Sequence, residues 1–587
     1  MEITPTPLPI RAPAAAPGIT ATPNDEAVIG PDNDGWKPTK RFLLAFMSLL
    51  TIVSAVAIES TSLPTALPIM SVDLGGTALQ AFWSGTGFLL ASTVIQPTVA
   101  SMSHILGRRI MLYVSSAGFV GGSLIAALAR NFNVVLVGRT IQKLGSRRWA
   151  VEPLLELKFV LIMSSGGGLI VLLEILISDL VPLAHRGTWF SISSAMWGLG
   201  TATGPLIGAG FAQDVSWRWI FWINLPIVGL GMLFVTLFLK QAQVPGHIVE
   251  KLKKFDWLGS VLFSVSSAGF LFGITTGGVR FPWSSYQALI PLIVGLSGMF
   301  CFVYWEFCSA SEPIVDKRIF KTWTAISVYI QTMLHGLILW AAIYFLTLFY
   351  QAVKLYSPVT SAIALLPVTV CLSLSNVAVG AITGMMKRYR WALWGGCVLT
   401  TAGSGLLYLL GTDTTVIQWI FLNIPFGIGT GMIFTADILA IQAATKPELN
   451  GEAAGFFSFI RIFGQALGVA IPGAIFQNSL KQKLLRIPDF ASLADEYSRD
   501  AMTIVALIQD MADGDTKTRM IQAFSDAWSS IWLSLLAFSA TGLLLSLTVK
   551  GYSMTQEHVT TQHLVQEKDG VGNEEAGALG NAEAEKS

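Results

Sequence analysis

Between Phe42 and Val549 the chain is built of apolar runs of about twenty residues, separated by short polar links. A run of that length spans the hydrocarbon core of a bilayer, where no water can satisfy a backbone N–H or C=O. Such segments must be helices, because a helix closes its own hydrogen bonds. The runs lie at about 42–70, 80–100, 109–128, 132–180 (interrupted), 189–212, 218–239, 256–275, 287–306, 324–350, 358–385, 391–411, 415–443, 453–477 and 527–549, which makes fourteen. Composition agrees, with 53% of residues hydrophobic and 12% charged, against roughly 25% charged in soluble domains. A net charge of +1 gives no reason to expect a nucleic-acid partner. Cys301, Cys308, Cys371 and Cys397 are scattered through apolar runs without metal-ligand spacing and read as small buried hydrophobes. The expected fold class is an all-α integral membrane protein.

Short loops set the orientation, because basic residues stay on the cytoplasmic side. Arg108 and Arg109, Arg186, Lys240 with Lys251, Lys253 and Lys254, Lys317 with Arg318 and Lys321, Lys387 with Arg388 and Arg390, and Lys446 all follow even-numbered spans. Loops of the other parity hold one basic residue each: Arg130, Arg218, Arg280 and Lys354. Both termini are therefore expected in the cytoplasm. A basic loop after span 2 and another after span 10 suggest two related six-span halves, with spans 7 and 8 as an extra pair. The expected organisation is a disordered tail over 1–41, an N-terminal six-helix bundle over 42–240, and a linker carrying spans 7 and 8 over 241–321. A C-terminal six-helix bundle follows over 322–550, with a disordered tail over 551–587. The long outer loop 478–526 has apolar spacing at Met502, Ile504, Val505, Leu507 and Ile508 that predicts a helix on the outer face. Two halves around a midplane site is the alternating-access architecture of secondary transporters.

Span 5 carries Gly200-Thr201-Ala202-Thr203-Gly204-Pro205-Leu206-Ile207-Gly208. Glycines four apart strip one helical face of side chains, and Pro205 bends the helix in its middle. Charges inside spans are functional candidates by default. Glu59 lies about 11 residues, or roughly 16 Å, from the outer end of span 1, and Arg139 about 7 residues, or roughly 11 Å, from that of span 4. At comparable depth in one half, an ion pair between them would let a proton and a cation compete for the carboxylate, which proton coupling requires. The alternative is a hydrated Glu59 facing the outer vestibule.

These segments resemble the fourteen-span drug:proton antiporters of the major facilitator superfamily. The glycine stretch is similar to their fifth-span antiporter motif G-x-x-x-G-P-x-x-G-G, with Ala209 in place of the last glycine. Glu59 before Ala66-Leu67-Pro68 matches the acidic position of the first-span motif, and Arg139-Thr140-Ile141-Gln142 the R-x-x-Q of the fourth. Trp217 to Pro226 looks like the entry to the sixth span; Tyr350-Gln351-Ala352-Val353 and Ala364-Leu365-Leu366-Pro367 match the ninth and tenth. The resemblance covers about 42–477 and looks closest to fungal toxin and multidrug exporters. It implies the facilitator fold, with Arg139 in proton coupling. It also implies a gating loop, here His104, Gly107, Arg108 and Arg109 within Ala100 to Arg109. The family has an acid where this chain has His104, so a weaker latch is expected.

The remaining candidates are open. Arg461 either faces a cavity or snorkels to the interface; Glu174 and Asp179 read as interfacial; Asp437 and His335 either bind substrate or satisfy neighbours. Trp340, Tyr344 and Gln351, with the other aromatics of span 9, either line a substrate cavity or face lipid. Gly427 with Gly431 and Gly464 with Gly468 read as packing faces. The expected function is export of hydrophobic or amphiphilic compounds (drugs, toxins or secondary metabolites) in exchange for protons. A monomer in the plasma membrane is expected, with no cofactor, no ATP site and no catalytic constellation. The rivals are a proton-coupled siderophore or nutrient importer and a non-transporting sensor.

One stretch reads as foreign. Residues 146–165 interrupt span 4 between Gln142-Lys143-Leu144-Gly145 and Gly166-Gly167-Gly168. Arg147, Arg148, Glu152, Glu156 and Lys158 would each cost about 2.5–3.5 kcal/mol in a membrane helix, and Pro153 would break it. Removing the twenty residues restores the family's R-x-x-Q-G-x-G-G-G-G except at Lys143. A retained intron or gene-model error is expected there.

Overall fold

A computed structural model describes residues 28–29, 36–74, 78–131, 165–241, 248–278, 281–310, 313–498, 505, 508–509, 511–556 and 559–560. The long helices, numbered in chain order, are α1 (Lys40–Asp73), α2 (Ala78–Leu106), α3 (Arg108–Ala127), α4 (Ser165–Leu180) and α5 (Leu183–Gly210). Next come α6 (Trp219–Trp222 running into Asn224–Phe238), α7 (Trp257–Thr276), α8 (Tyr286–Cys308) and α9 (Trp323–Ala352). Last are α10 (Pro358–Ala364 running into Leu366–Met386), α11 (Arg390–Leu407), α12 (Val416–Ala444), α13 (Asn450–Leu484) and α14 (Asp515–Leu547). Among the described residues, ten helices are long and apolar enough to cross a membrane: α1, α3, α6–α10 and α12–α14.

Helix boundaries follow local chemistry. Asp256, Ser285, Thr322, Ser357 and Thr415 each accept a first-turn amide at a helix start, and Thr415 with Gln418 forms a reciprocal capping box. Between α2 and α3 the chain reverses at Gly107, whose φ of 100° excludes a side chain at little cost only for glycine.

The helices sort into two groups. In the first, α1 packs on α5 and α6, and α4 packs on α2 and α3; in the second, α9 packs on α13, α12 on α10 and α11, and α14 on α9, α11 and α13. In a bilayer, apolar burial gives little drive between helices, so close packing needs missing side chains. A Cβ on Gly464 or Gly468 would strike the carbonyls of Met333 and Leu337 on α9. The pair α7–α8 stands outside both groups, and α7 packs on α2 and α13. Thr98 and Ser260 share a hydrogen bond of 2.8 Å, and the Phe263 and Phe459 rings lie 5.2 Å apart. Ile293, Val294, Phe300 and Tyr304 of α8 are exposed, as a lipid-facing helix requires.

Two expectations about the ends need correction. The tail is packed from Trp36 onward, against His185 and Trp189, and Val28–Ile29 pairs antiparallel with Val559–Thr560. At the other terminus Met554 is buried and Gln556 donates to the Ala443 carbonyl at 2.9 Å. Aromatic and apolar side chains in both tails find cover on the bundle. The link before α14 is also shorter than expected, spanning 485–514, because α13 runs on to Leu484. Its Phe490, Val505 and Ile508 turn inward onto the core around Trp528. Met502, Ile504 and Leu507 of the expected outer helix lie outside the described residues.

Candidate functional site

Glu59 is 7% exposed on α1. Its Oε2 accepts from Asn224 Nδ2 of α6 at 2.7 Å and Ser123 Oγ of α3 at 3.4 Å. Asn224 sits in the Trp217–Pro226 signature, at the break between the two pieces of α6. At the start of that signature, the Trp217 indole and the Arg218 guanidinium reach Asp73 at 2.9 and 3.2 Å. The indole hydrogen bond, and then the guanidinium, hold the Asp73 carboxyl below the usual carboxylate range.

The glycine face of α5 meets α1 over the turns that carry Glu59. A Cβ on Gly204 would strike Thr61 Oγ1 and lie 3.0 Å from the Ile58 carbonyl; one on Gly208 would strike the Ser62 carbonyl; one on Gly200 would sit 2.5 Å from Ala57. Thr61 and Thr65 donate across to the carbonyls of Gly200 and Pro205, at 3.1 and 3.2 Å. Both helices belong to the first group. This bare face therefore joins two helices of the first group.

Between the two groups lies a cavity with about 1020 Å³ of empty space, counting its mouth. Its walls are mostly apolar, with Ile170, Leu173, Trp197, Leu339, Trp340 and Phe434, and hydroxyl and amide groups enter from Ser60, Ser194, Thr201, Asn376 and Gln465. Arg461 NH2 donates to Glu174 Oε1 at 2.7 Å, joining α13 to α4 across the seam, and both residues line the cavity. The Arg461 guanidinium also lies over the Phe434 and Phe457 rings, at 4.6 and 5.3 Å. Glu174 is 5% exposed and not interfacial, because α13 and α2 close over α4 at that point.

Below the cavity, toward the end with the basic loops, the seam is shut by polar bridges. Arg186 donates to Gln442 Oε1 at 3.0 Å, and Gln442 donates to Ser178 Oγ at 2.7 Å. Gln96 reaches Ser458 at 3.4 Å, and Ser191 donates to the Asn376 carbonyl at 2.9 Å. Arg108 pairs with Asp179 at 2.9 Å, so Asp179 is a buried ion-pair partner and not an interfacial group. Arg108 also donates to Ser103 at 2.8 Å and to His104 Nδ1 at 2.9 Å. An arginine can only donate, so the His104 nitrogen that faces it carries no proton. The start of α13 closes over this cluster: a Cβ on Gly451 would lie 3.3 Å from Arg108, Asp179 and His104. Arg109 instead leaves the seam and donates to the Thr236 carbonyl of α6 at 3.1 Å.

Comparison with known proteins bears on this arrangement of two helix groups around a cavity. Residues 155–469, more than half of the chain, match the family model described as Major Facilitator Superfamily. A curated relative, MFS transporter L2 of a Phoma species, is 43% identical over 92% of this chain and 87% of its own. The chain belongs to the major facilitator superfamily. This facilitator is also 31% identical to Efflux pump FUS6 of Gibberella moniliformis, over 92% of this chain and 93% of that one. It is 32% identical to the Acurin A biosynthesis cluster MFS-type transporter of Aspergillus aculeatus, over 90% and 93%. The crystal structure of the human organic anion transporter MFSD10 superposes with a TM-score of 0.50 at 15% identity, over 86% of this chain and 100% of that one, a likeness of fold. The facilitator family is one of transporters, not enzymes.

Of the five residues the sequence offered for a substrate cavity, Trp340 and Arg461 line it. Gln351, Tyr344 and Asp437 are not in its wall. Asp437 is fully buried on the side of α12 facing α9, where Thr332 donates to it at 3.1 Å; Tyr344 packs edge-on against Phe345. Gln351 sits near the far end of α9, where its carbonyl takes a bond from Gln509. His335 bonds the Thr430 carbonyl at 2.9 Å inside the second group. Arg139 and residues 146–164 lie outside the described residues.

Proposed function

We propose that this facilitator is a proton-driven exporter of hydrophobic or amphiphilic small molecules, namely drugs, toxins or secondary metabolites. It works by alternating access with fourteen spans, both termini in the cytoplasm, as a monomer in the plasma membrane. The observation that carries this reading is the cavity between the halves, apolar in its walls and crossed by a buried ion pair. A second buried carboxylate, Glu59, sits apart from it on α1. A mostly apolar cavity with a few convergent polar groups has the chemistry that takes an amphiphile, and ionisable groups held inside a bilayer mark proton paths. The names of the relatives, efflux pump and biosynthesis-cluster transporter, favour the outward direction. Glu59 takes the proton, with Arg139 as its cationic partner. Gly200, Gly204, Pro205 and Gly208 hold α5 on the Glu59 turns, so that protonation on α1 moves one half as a unit. His104, Gly107, Arg108 and Arg109 form the cytoplasmic latch.

The test uses inverted membrane vesicles containing the full chain and a fluorescent amphiphile such as ethidium, with an imposed proton gradient. Accumulation should follow the gradient and collapse with a protonophore. Glu59→Gln should lose at least tenfold of the gradient-driven rate at equal abundance. Gradient-driven efflux that survives Glu59→Gln would refute the coupling role. Gradient-driven movement in the opposite direction would favour an importer, and no movement of any compound in a resistance screen would favour a sensor.

A further inference from the structure

The pair joining α4 to α13 sits where the closed seam becomes the cavity floor, and it is incompletely satisfied. Only one nitrogen of Arg461 and one oxygen of Glu174 meet; Arg461 Nε and Glu174 Oε2 are buried without close hydrogen-bond partners, although the Ser458 hydroxyl stands beside the carboxylate. Ser92 Oγ and Asn376 Nδ2, also in the cavity wall, are likewise unpartnered. Side chains so buried rarely leave donors and acceptors unused. One pole of a mostly apolar cavity thus offers an open donor beside an open acceptor. We propose that this pole is the exchange site of the transporter, where Glu174 binds either a proton or the polar head of the substrate, and that the head carries an acceptor for Arg461 and a donor for Glu174, as a carboxamide or hydroxycarbonyl group does. The inference rests on the export reading above and adds to Glu59 a second protonating residue, one that touches the substrate.

The physical argument runs through the seam. Opening the basic end separates α4 from α13 and must break the pair. A buried charge left without its partner is strongly unfavourable. Two events remove that obstacle. Glu174 can take a proton from cavity water, forming its O–H bond and losing the charge that Arg461 holds. Alternatively, a head with both a donor and an acceptor can bridge the parted residues. The proton returns to water on the other side as the head arrives, so one exchanges for the other. The ionisable groups near the seam on the elements packed around α4 are Glu59 (α1), His104 (α2), Arg108 (α3), Arg186 (α5), Glu452 and Arg461 (α13), with Asp179 on α4 itself. Arg461 is the one that pairs with Glu174; Arg108 pairs with Asp179, and Arg186 bonds Gln442.

Ala100 of α2 faces Gly455 of α13 across the closed seam and reports opening when replaced by cysteine. Labelling of A100C in the full chain by a membrane-impermeant maleimide is measured from pH 8 to 5.5, against the parent chain and corrected for thiol reactivity. The rate should rise at least tenfold as pH falls. Adding E174Q should leave it high and independent of pH. Adding R461K, a cation without the donor fork, should move the midpoint up by ~1 pH unit, since a weaker partner yields to the proton earlier. At pH 8, 2-naphthamide should raise labelling severalfold, whereas 2-methylnaphthalene, the same body without the head, should not. A flat wild-type profile, titration that persists in E174Q or does not move in R461K, or equal effects of the two naphthalenes would overturn the proposal. Gradient-driven efflux in the same vesicles judges the export reading separately.

Discussion

At the scale of single residues, Glu59 is defined by its donors. Asn224 gives it a short hydrogen bond, and such a bond to a charged group contributes about 1.5–3 kcal/mol. Asn224→Ala should therefore lower gradient-driven efflux severalfold at equal abundance; an unchanged rate would show that the bond does not hold the site. His104 offers a second case. It meets Arg108 with an unprotonated nitrogen where the family has an acid, so His104→Asp should tighten the latch and raise the transport rate at normal abundance. An equal or lower rate counts against that. Residue type and depth singled out Glu59 and Arg461 in the sequence as charges inside spans, while leaving their surroundings open. Glu174 was not legible, because six residues from a helix end a carboxylate reads as interfacial, and nothing local shows that α13 and α2 cover it. Asp437 stayed open between substrate and neighbours for the complementary reason: depth in a span does not say which face of α12 it occupies.

At the scale of helices, spacing spoke more clearly than partner. Glycines four apart announced a bare face on α5, but sequence cannot say that the face meets α1. Gly204→Leu would drive a side chain into Thr61 and the Ile58 carbonyl, and overpacking of this kind costs about 1–3 kcal/mol or more. Its thermal midpoint should fall by several degrees, and efflux should drop with it. Gly210→Ala, at a position open for 4 Å around, should change neither. Matching losses in both variants would remove the special role of the face. The helix pairings themselves, such as α9 with α13, were invisible, since lipid is as apolar as leucine and pairing is decided by local fit.

At the scale of the whole molecule, the run lengths revealed a helical membrane bundle, while the tails hid their packed segments because short aromatic contacts leave no periodic signal. Residues 146–165 remain the strongest anomaly in the chain. The dominant transcript should lack their codons, and a protein of about 567 residues should retain full transport; a message that encodes Trp149 through Lys158 in a working exporter would end that idea. The two seams between the halves differ in make. Along α5 and α10 the backbones nearly touch, with Gly187 against the Gly380 carbonyl, whereas α4 and α13, packed side by side, are also bridged by long charged side chains, Arg461 to Glu174. Backbone contact does not stretch, and arginine does. The molecule thus resembles a book, with α5–α10 as its spine and α4–α13 as its fore-edge. On that fore-edge α7 lies across α2 and α13, a clasp fastened to both covers, so the additional pair is tied by α7 to a margin along which the pages can part.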